Sequence, residues 1–179
     1  MIDQVILRSM KSYVALLRAV NVGGTGKIAM SDLKALCEAA GGEAVRTYIA
    51  SGNLIFQSKL SERQIKVALE ARLQKLIGKP VGVMVRTAAE MAKVAAGNPF
   101  PTAPGNRVVA IFLDHAVPSD ALKSVTGQSS EEEIRLGKRE IFVRYGDGMG
   151  QSKLRIPAAK EGTARNMNTV TKLADMARE

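Results

Sequence analysis

The chain of 179 residues contains one cysteine, one histidine and no tryptophan, and aromatic residues make up only 4% of it. A single cysteine excludes a disulfide framework and suits a reducing compartment, so we expect a cytoplasmic protein. Metal sites of the zinc type need several histidine or cysteine ligands. The sequence therefore predicts no metal site, and no motif in it predicts a cofactor. No apolar run approaches membrane-spanning length, so we expect no membrane association.

What the chain does contain is enough apolar residues for a core and an excess of positive charge. Hydrophobic residues make up 46% of it, which argues against disorder. The net charge is +9, of which +7 falls in residues 1–100 and +2 in residues 101–179. A basic N-terminal half fits a phosphate-bearing or other anionic partner. A generally basic soluble protein explains the charge equally well, since no run of Lys and Arg is dense enough to predict a nucleic-acid-binding arm.

Apolar periodicity and capping signals in the first hundred residues predict the order β-α-β-β-α-β followed by a further helix. The predicted elements are a buried strand over 12–20, a helix capped by Ser31 and stopped by Gly41, strands over 45–50 and 54–57, a helix over 62–77, a strand over 81–86, and a helix after Thr87 that stops before Asn98. The segment Ser51-Gly52-Asn53 is a hairpin signal. The expected buried stripe of the second helix is Ile65, Leu69, Leu73 and Leu76.

The second half repeats this order less regularly. We predict strands over 108–114, 131–136 and 140–145, a short helix over 119–125, a short helix from Pro157, and a last helix over 168–177. The sequence thus predicts an α+β fold of two ferredoxin-like βαββαβ repeats, with antiparallel or mixed sheets, helices on one face, and a second repeat that is irregular at its end. The predicted division is an extension over 1–9, a first half over 10–98, a linker over 99–106 and a second half over 107–179.

The glycine-rich segment Gly23-Gly24-Thr25-Gly26-Lys27 lies between the first strand and the first helix. A phosphate-binding P-loop needs a glycine five positions before its Gly-Lys pair and Ser or Thr after it. Asn21 and Ile28 stand at those positions, so the segment is not a P-loop. Backbone amides and Lys27 remain able to hold an anion near the helix that Ser31 caps. A tight β-to-α turn that needs small residues is the alternative.

The polar stretch Arg165-Asn166-Met167-Asn168-Thr169 is expected to open the last helix. A guanidinium beside free helix N–H groups suits an oxyanion or a phosphate. The alternative is that Asn166 or Asn168 caps the helix while Arg165 forms a structural ion pair. Cys37 falls on an apolar helix stripe and is expected in the core rather than as a nucleophile. His115 has no partner of metal-binding or catalytic spacing.

Three stretches resemble one bacterial family, the domain of unknown function 1697. They are residues 13–24 (YVALLRAVNVGG), residues 46–56 (RTYIASGNLIF), and residues 152–154 (SKL) together with 164–170 (ARNMNTV). Members of the family usually carry Arg-Gly-Ile-Asn where this chain has Arg18-Ala-Val-Asn21. The resemblance implies two ferredoxin-like repeats, in agreement with the apolar pattern. It implies no activity, because none is assigned to the family.

Polar residues of the same types recur in these stretches, and we expect them to meet in one ligand-binding pocket. The candidates are Arg18, Asn21, Gly23, Gly24, Lys27, Ser51, Asn53, Lys153, Arg165, Asn166 and Asn168. The favoured function is a binding module for a small anionic ligand or a nucleic acid. The alternative is an enzyme that acts on a small anionic metabolite, with Arg165 stabilising negative charge. No general base is placed by a motif, so catalytic residues are not predicted.

Overall fold

The computed structural model describes residues 8–20 and 27–178. The elements of these residues are β1 (Lys11–Leu17), α1 (Met30–Ala39), β2 (Glu43–Thr47), β3 (Asn53–Ser58), α2 (Glu62–Ile77), β4 (Val83–Thr87), α3 (Ala88–Ala96), β5 (Val108–Phe112), β6 (Glu133–Leu136), β7 (Glu140–Arg144), β8 (Thr163–Asn166) and α4 (Met167–Arg178). Short 3-10 turns span Gly105–Arg107, Met149–Gln151 and Pro157–Ala159. No helix within the described ranges is long and apolar enough to cross a membrane.

The strands form two four-stranded antiparallel sheets with the same topology. Their strand orders are β2-β3-β1-β4 and β6-β7-β5-β8. Numbered within each half, both are the order 2-3-1-4 that a βαββαβ unit produces. The predicted α+β fold of two ferredoxin-like repeats is therefore confirmed. The boundaries predicted for the two halves and their linker stay a prediction.

Successive side chains of a strand point to opposite faces of the sheet, so the first sheet has a core layer on each face. Tyr13, Ala15 and Leu17 of β1 pack with the apolar residues of α1 and α2. Val14 and Leu16 point the other way, into a core shared with α3, α4 and the second sheet. Helices α3 and α4 thus lie between the two sheets, and the inner core joins the two repeats into one body.

Local signals explain the helices of the first repeat. The side chain of Ser61 accepts from the N–H of Gln64, whose own side chain returns the bond, and Gly78 ends α2 at φ 83°. Thr87 and Glu90 cap α3 in the same way. Two expectations are wrong. Leu76 is 55% exposed, because α2 buries only one side against the sheet. Helix α1 starts one residue before Ser31, and Ala29 takes the cap position without any side-chain bond.

The second repeat departs further from the predicted elements. Residues 119–125 form turns rather than a helix. Most of their side chains are exposed, and Ala121 is the buried one. The polar stretch expected before the last helix contains an additional strand, β8, which pairs with β5. Helix α4 accordingly begins at Met167, one residue earlier than predicted. The helix expected from Pro157 is a single 3-10 turn.

Candidate functional site

Arg165 lies in β8 and reaches out of its own repeat to the edge of the first sheet. It is 7% exposed, and its guanidinium is bonded entirely to protein acceptors. Nε donates to Asn53 Oδ1 at 2.7 Å, Nη1 to Thr163 Oγ1 and the Ala164 carbonyl, and Nη2 to the carbonyls of Leu17, Ser51 and Gly52 at 2.9, 3.0 and 3.2 Å. We call Arg165 with these acceptors the Arg165 junction. The expectation that Arg165 opens a helix is wrong, since it belongs to a strand.

The turn between β2 and β3 supplies the other side of the junction. Asn53 is fully buried, and its Nδ2 donates to the Tyr48 carbonyl at 2.8 Å and to Ser51 Oγ at 3.0 Å. Gly52 adopts φ +86°, and a Cβ there would lie 2.6 Å from Val20 Cγ2. Glycine is therefore required where this turn meets the end of β1. Three of the predicted site residues, Ser51, Asn53 and Arg165, do meet.

The acceptors of Arg165 are all uncharged. Burial lowers the pKa of its guanidinium to about 10, so it keeps its positive charge at neutral pH. Hydrogen bonds to a charged group contribute about 1.5–3 kcal/mol each and offset its desolvation. All five N–H groups are occupied, so Arg165 can act on a ligand only as a fixed charge beneath the surface. It cannot donate to the ligand without giving up a bond to the protein.

Arg86 occupies the equivalent position in the first repeat and makes the reciprocal contacts. It pairs with Val14 of β1, as Arg165 pairs with Ala110 of β5. Both arginines stand two residues before a helix. Arg86 Nε donates to Glu140 Oε1 at 3.0 Å, and Nη2 donates to the carbonyls of Leu113 and Arg139 at 2.6 and 3.2 Å. We call this set the Arg86 junction.

The acceptors of the two junctions correspond position by position. Glu140 is the first residue of β7, as Asn53 is of β3. Leu113 lies three residues beyond the partner of Arg165, as Leu17 lies three beyond the partner of Arg86. Each repeat therefore sends one arginine into the turn and strand end of the other. This reciprocity is the strongest structural sign of the internal duplication.

The two junctions differ in charge. The Arg86 junction contains the buried carboxylate of Glu140, and its surroundings hold further ion pairs. These are Arg139 with Glu62 at 2.6 Å and with Glu90 at 3.6 Å, and Lys66 with Glu70 at 2.6 Å and with Asp114 at 2.7 Å. At the Arg165 junction, asparagine replaces the buried carboxylate. Among the described residues around the Arg165 junction, the one carboxylate in an ion pair is that of Glu161, which lies 3.3 Å from Arg18.

Two more predicted cations belong to the same edge of the first sheet. Arg18 follows β1, is half-exposed, and donates to the Lys160 carbonyl at 2.6 Å besides its pair with Glu161. Lys27 is exposed and precedes α1. Because α1 connects β1 to the parallel strand β2, its N-terminus lies at the edge where β1 ends. Its N-cap position is taken by Ala29, which makes no side-chain cap bond, and Asp32 places a carboxylate in the first turn.

Three predicted site residues are not part of the Arg165 junction. Lys153 is exposed and lines a cleft of the second repeat with Gly127 and Glu132. The side chain of Asn166 accepts from the N–H of Thr169 at 2.9 Å at the start of α4. Asn168 is exposed on α4 and faces Gly105, where a Cβ would lie 2.1 Å from its Oδ1. Asn166 is thus a helix cap, as the structural alternative proposed, whereas the ion pair that this alternative gave to Arg165 is replaced by bonds to neutral acceptors. Asn21, Gly23 and Gly24 lie outside the described residues.

The sequence prediction missed Arg86 and Glu140, although a signal for Arg86 was present. Val85-Arg86-Thr87 and Ala164-Arg165-Asn166 each place an arginine and then a capping residue directly before a helix. Comparing the two repeats on this pattern would have paired the arginines. The partner Glu140 carries no such signal, because its role depends on contacts between distant repeats.

A family model described as a protein of unknown function (DUF1697) matches residues 10–142. The chain belongs to the DUF1697 family. The match covers the first repeat and the second as far as β7, so it includes Asn53, Arg86 and Glu140, and it ends before Arg165. No match is found among the curated proteins.

A solved structure shares the whole fold of this DUF1697 protein. It is that of the conserved bacterial protein SP0830 from Streptococcus pneumoniae, with a TM-score of 0.78 and 23% sequence identity. The alignment covers 96% of this chain and 100% of that one. The likeness establishes the common architecture of two sheets with helices between and outside them.

Proposed function

We propose that this chain is a bacterial, cytoplasmic binding module for a small phosphate-bearing or other anionic ligand, bound at the sheet edge beside the Arg165 junction. The observation that carries the proposal is the buried charge of Arg165, whose acceptors are all neutral. A cation in a low-dielectric surrounding acts over a longer range than one in water. An anion at the adjacent surface would offset a charge that the protein leaves without a carboxylate.

Direct contacts to the ligand are assigned to the exposed groups of this edge. Arg18 is held by Glu161, whose side chain is 74% exposed, and an exposed pair of this kind is worth at most about 1 kcal/mol. A phosphate can therefore displace Glu161 at little cost. Lys27 adds a second cation beside the N-terminus of α1, whose helix dipole favours an anion. The side chain of Ser51 is half-buried at the same turn.

The Arg86 junction supports the choice of ligand charge. It has the same backbone geometry, yet Glu140 neutralises its arginine and further carboxylates surround it. The charge of the arginine is balanced at the Arg86 junction and not at the Arg165 junction. This difference favours anion binding at the Arg165 junction. The enzyme alternative has less support, because the N–H groups of Arg165 are all engaged and cannot stabilise a transition state directly.

Calorimetric titration with inorganic pyrophosphate tests the proposal. We expect Arg18→Gln and Lys27→Gln each to weaken binding at least tenfold, since each removes a cation from the proposed contact surface. Arg135→Gln is the matched control, because Arg135 is 57% exposed, pairs with Glu133 and removes the same charge from the second repeat. We expect it to change affinity less than twofold.

Two outcomes would overturn the proposal. The first is that pyrophosphate does not bind the unmodified protein. The second is that all three variants weaken binding equally, which would make the effect one of net charge. Glu161→Gln provides an additional arm: freeing Arg18 from its carboxylate should strengthen binding, and an unchanged affinity would remove Arg18 from the site.

A further inference from the structure

A second group of cations lies at the opposite edge of the first sheet, where β1 begins. Arg8, Lys11, Lys59 and Arg63 are exposed, and they line two adjoining clefts of about 420 Å³ each that share Arg8 and Ser61. We call this surface the basic cleft. Strand β1 has seven residues, so the basic cleft is about 20 Å from the Arg165 junction, at 3.3 Å per residue. The two surfaces are separate sites.

Among the described residues, no carboxylate forms an ion pair with a cation of the basic cleft. Within residues 8–20 and 27–178, the side chains of Lys11, Lys59 and Arg63 form no hydrogen bond or ion pair. Arg8 donates to Gln64 Oε1 at 3.2 Å, a neutral acceptor. The described residues that line the clefts include no Asp or Glu. Four positive charges therefore face solvent together.

The carboxylate nearest to this surface along the chain is paired with a cation of the second repeat. Glu62 directly follows Ser61, but its Oε1 lies 2.6 Å from Arg139 Nη2 of the second repeat. Arg139 also lies 3.6 Å from the carboxylate of Glu90, which is engaged in capping α3. These carboxylates serve the contact between the repeats. They are therefore not in ion pairs with the four cations of the basic cleft.

The arrangement fits a long polyanion better than a small one. Small ligands are held by convergent, partly buried polar groups, whereas these four cations are exposed and spread along two clefts. Tyr13, the aromatic residue of the lining, is buried, and its hydroxyl donates to the Leu60 carbonyl at 2.9 Å. A nucleotide base cannot stack on it. Exposed cations without a stacking ring contact phosphates and not bases.

We propose that the basic cleft binds the phosphodiester backbone of a nucleic acid, without preference for base sequence. Affinity then comes from release of counterions by the cations that contact phosphates. A membrane surface is the less suitable partner, because surface-binding segments combine cations with a broad apolar face. Val67 is the exposed large apolar residue of this lining, and a single valine does not form such a face.

Fluorescence anisotropy with a labelled oligothymidylate tests this. We expect a log–log salt dependence of the binding constant with a slope of about −2 to −3, as three or four neutralised phosphates of a single strand produce. The triple variant Lys11→Gln/Lys59→Gln/Arg63→Gln should bind at least tenfold more weakly. The matched control Lys34→Gln/Lys75→Gln/Lys79→Gln removes the same charge from exposed lysines elsewhere on the first repeat and should change affinity less than twofold.

Three results would overturn the proposal. The first is that the unmodified protein does not bind the oligonucleotide, and the second is that both triple variants weaken binding equally. The third is that the first triple variant loses binding to phosphatidylserine vesicles while its affinity for the oligonucleotide is unchanged. Both triple variants should keep the unfolding midpoint of the parent, since the substituted side chains are exposed. The affinity for pyrophosphate at the Arg165 junction should also be unchanged, so that this proposal and the proposed function fail independently.

Discussion

At the scale of single residues, Arg165 and Arg86 show how the same position can be stabilised in two ways. Each guanidinium is buried and bonded to the end of a strand and to a turn in the other repeat. Arg86 is neutralised by Glu140, and Arg165 is satisfied by amide and hydroxyl oxygens. Removing either arginine leaves buried acceptors without donors, which costs more than the net value of the bonds themselves.

Arg165→Ala should therefore lower the free energy of unfolding by about 3–5 kcal/mol, because the carbonyls at the ends of two elements and Asn53 Oδ1 lose their donors together. Urea denaturation measures this. Arg63→Ala, at an exposed position without hydrogen bonds in the described chain, should change it by less than about 0.5 kcal/mol. A loss below about 1 kcal/mol for Arg165→Ala would contradict a structural role for the guanidinium.

The Arg86–Glu140 pair should show strong coupling in a double-mutant cycle. Arg86→Met alone leaves a carboxylate that is 6% exposed without its cation, and Glu140→Leu alone leaves the buried guanidinium without its anion. We expect the double variant to be more stable than the sum of the single effects predicts, by about 2–3 kcal/mol. Chemical denaturation of the parent protein, the two single variants and the double variant gives this coupling energy. Additivity within about 0.5 kcal/mol would mean that the two charges are stabilised independently.

At the scale of elements, the turn between β2 and β3 has to approach the end of β1 closely. The Gly52 carbonyl accepts from the Leu17 N–H at 2.9 Å and also from Arg165. This approach leaves no room for a side chain at Gly52. The turn thus connects a local backbone requirement to the contact between the repeats.

Gly52→Ala should destabilise the protein by about 2–4 kcal/mol, because the new Cβ would meet Val20 Cγ2 at 2.6 Å and Leu17 Cβ at 2.9 Å in addition to the positive φ. Gly78→Ala is the matched control. It has a similar φ of +83° but no atom within 4 Å of the new Cβ, so we expect about 1 kcal/mol. Equal thermal or urea stabilities of the two variants would show that packing at Gly52 is unimportant.

The elements that the sequence predicted well are those with local signals. Ser61 with Gln64 and Thr87 with Glu90 predicted the starts of α2 and α3, since a capping box needs only four consecutive residues. Strand β8 was missed because its four residues, Thr163 to Asn166, are mostly polar and their pairing with β5 is distant in sequence. The helix predicted over 119–125 is replaced by turns for a similar reason. In so short a segment, tertiary contacts and not apolar periodicity determine the secondary structure.

The candidate site was predictable in part for the same reason. That Ser51, Asn53 and Arg165 meet follows from polar types recurring in the three stretches that resemble the family. That Arg165 has no free N–H group could not be predicted, because its acceptors are backbone carbonyls contributed by strand ends. Backbone carbonyls have no sequence signature. Only the folded geometry distinguishes a structural arginine from one that contacts a ligand.

At the scale of the whole molecule, the duplication produces two equivalent junctions and uses them differently. The inner core and the reciprocal arginines hold the repeats together. Carboxylates neutralise the Arg86 side, whereas the Arg165 side combines a buried cation that has only neutral acceptors with Arg18, Lys27 and the N-terminus of α1. The two junctions therefore act as an internal control for each other in any test of anion binding.

The most direct test is an NMR titration of the labelled protein with inorganic pyrophosphate, followed through backbone amide shifts. We expect saturable shifts at residues 18–20, 27–31, 51–53 and 163–165. We expect no shifts at residues 114–116 and 138–140, which are the positions equivalent to 18–20 and 51–53. Shifts of equal size at both junctions, or shifts confined to residues 8–11 and 59–63 of the basic cleft, would contradict the claim that the Arg165 junction is the anion-binding edge of this protein.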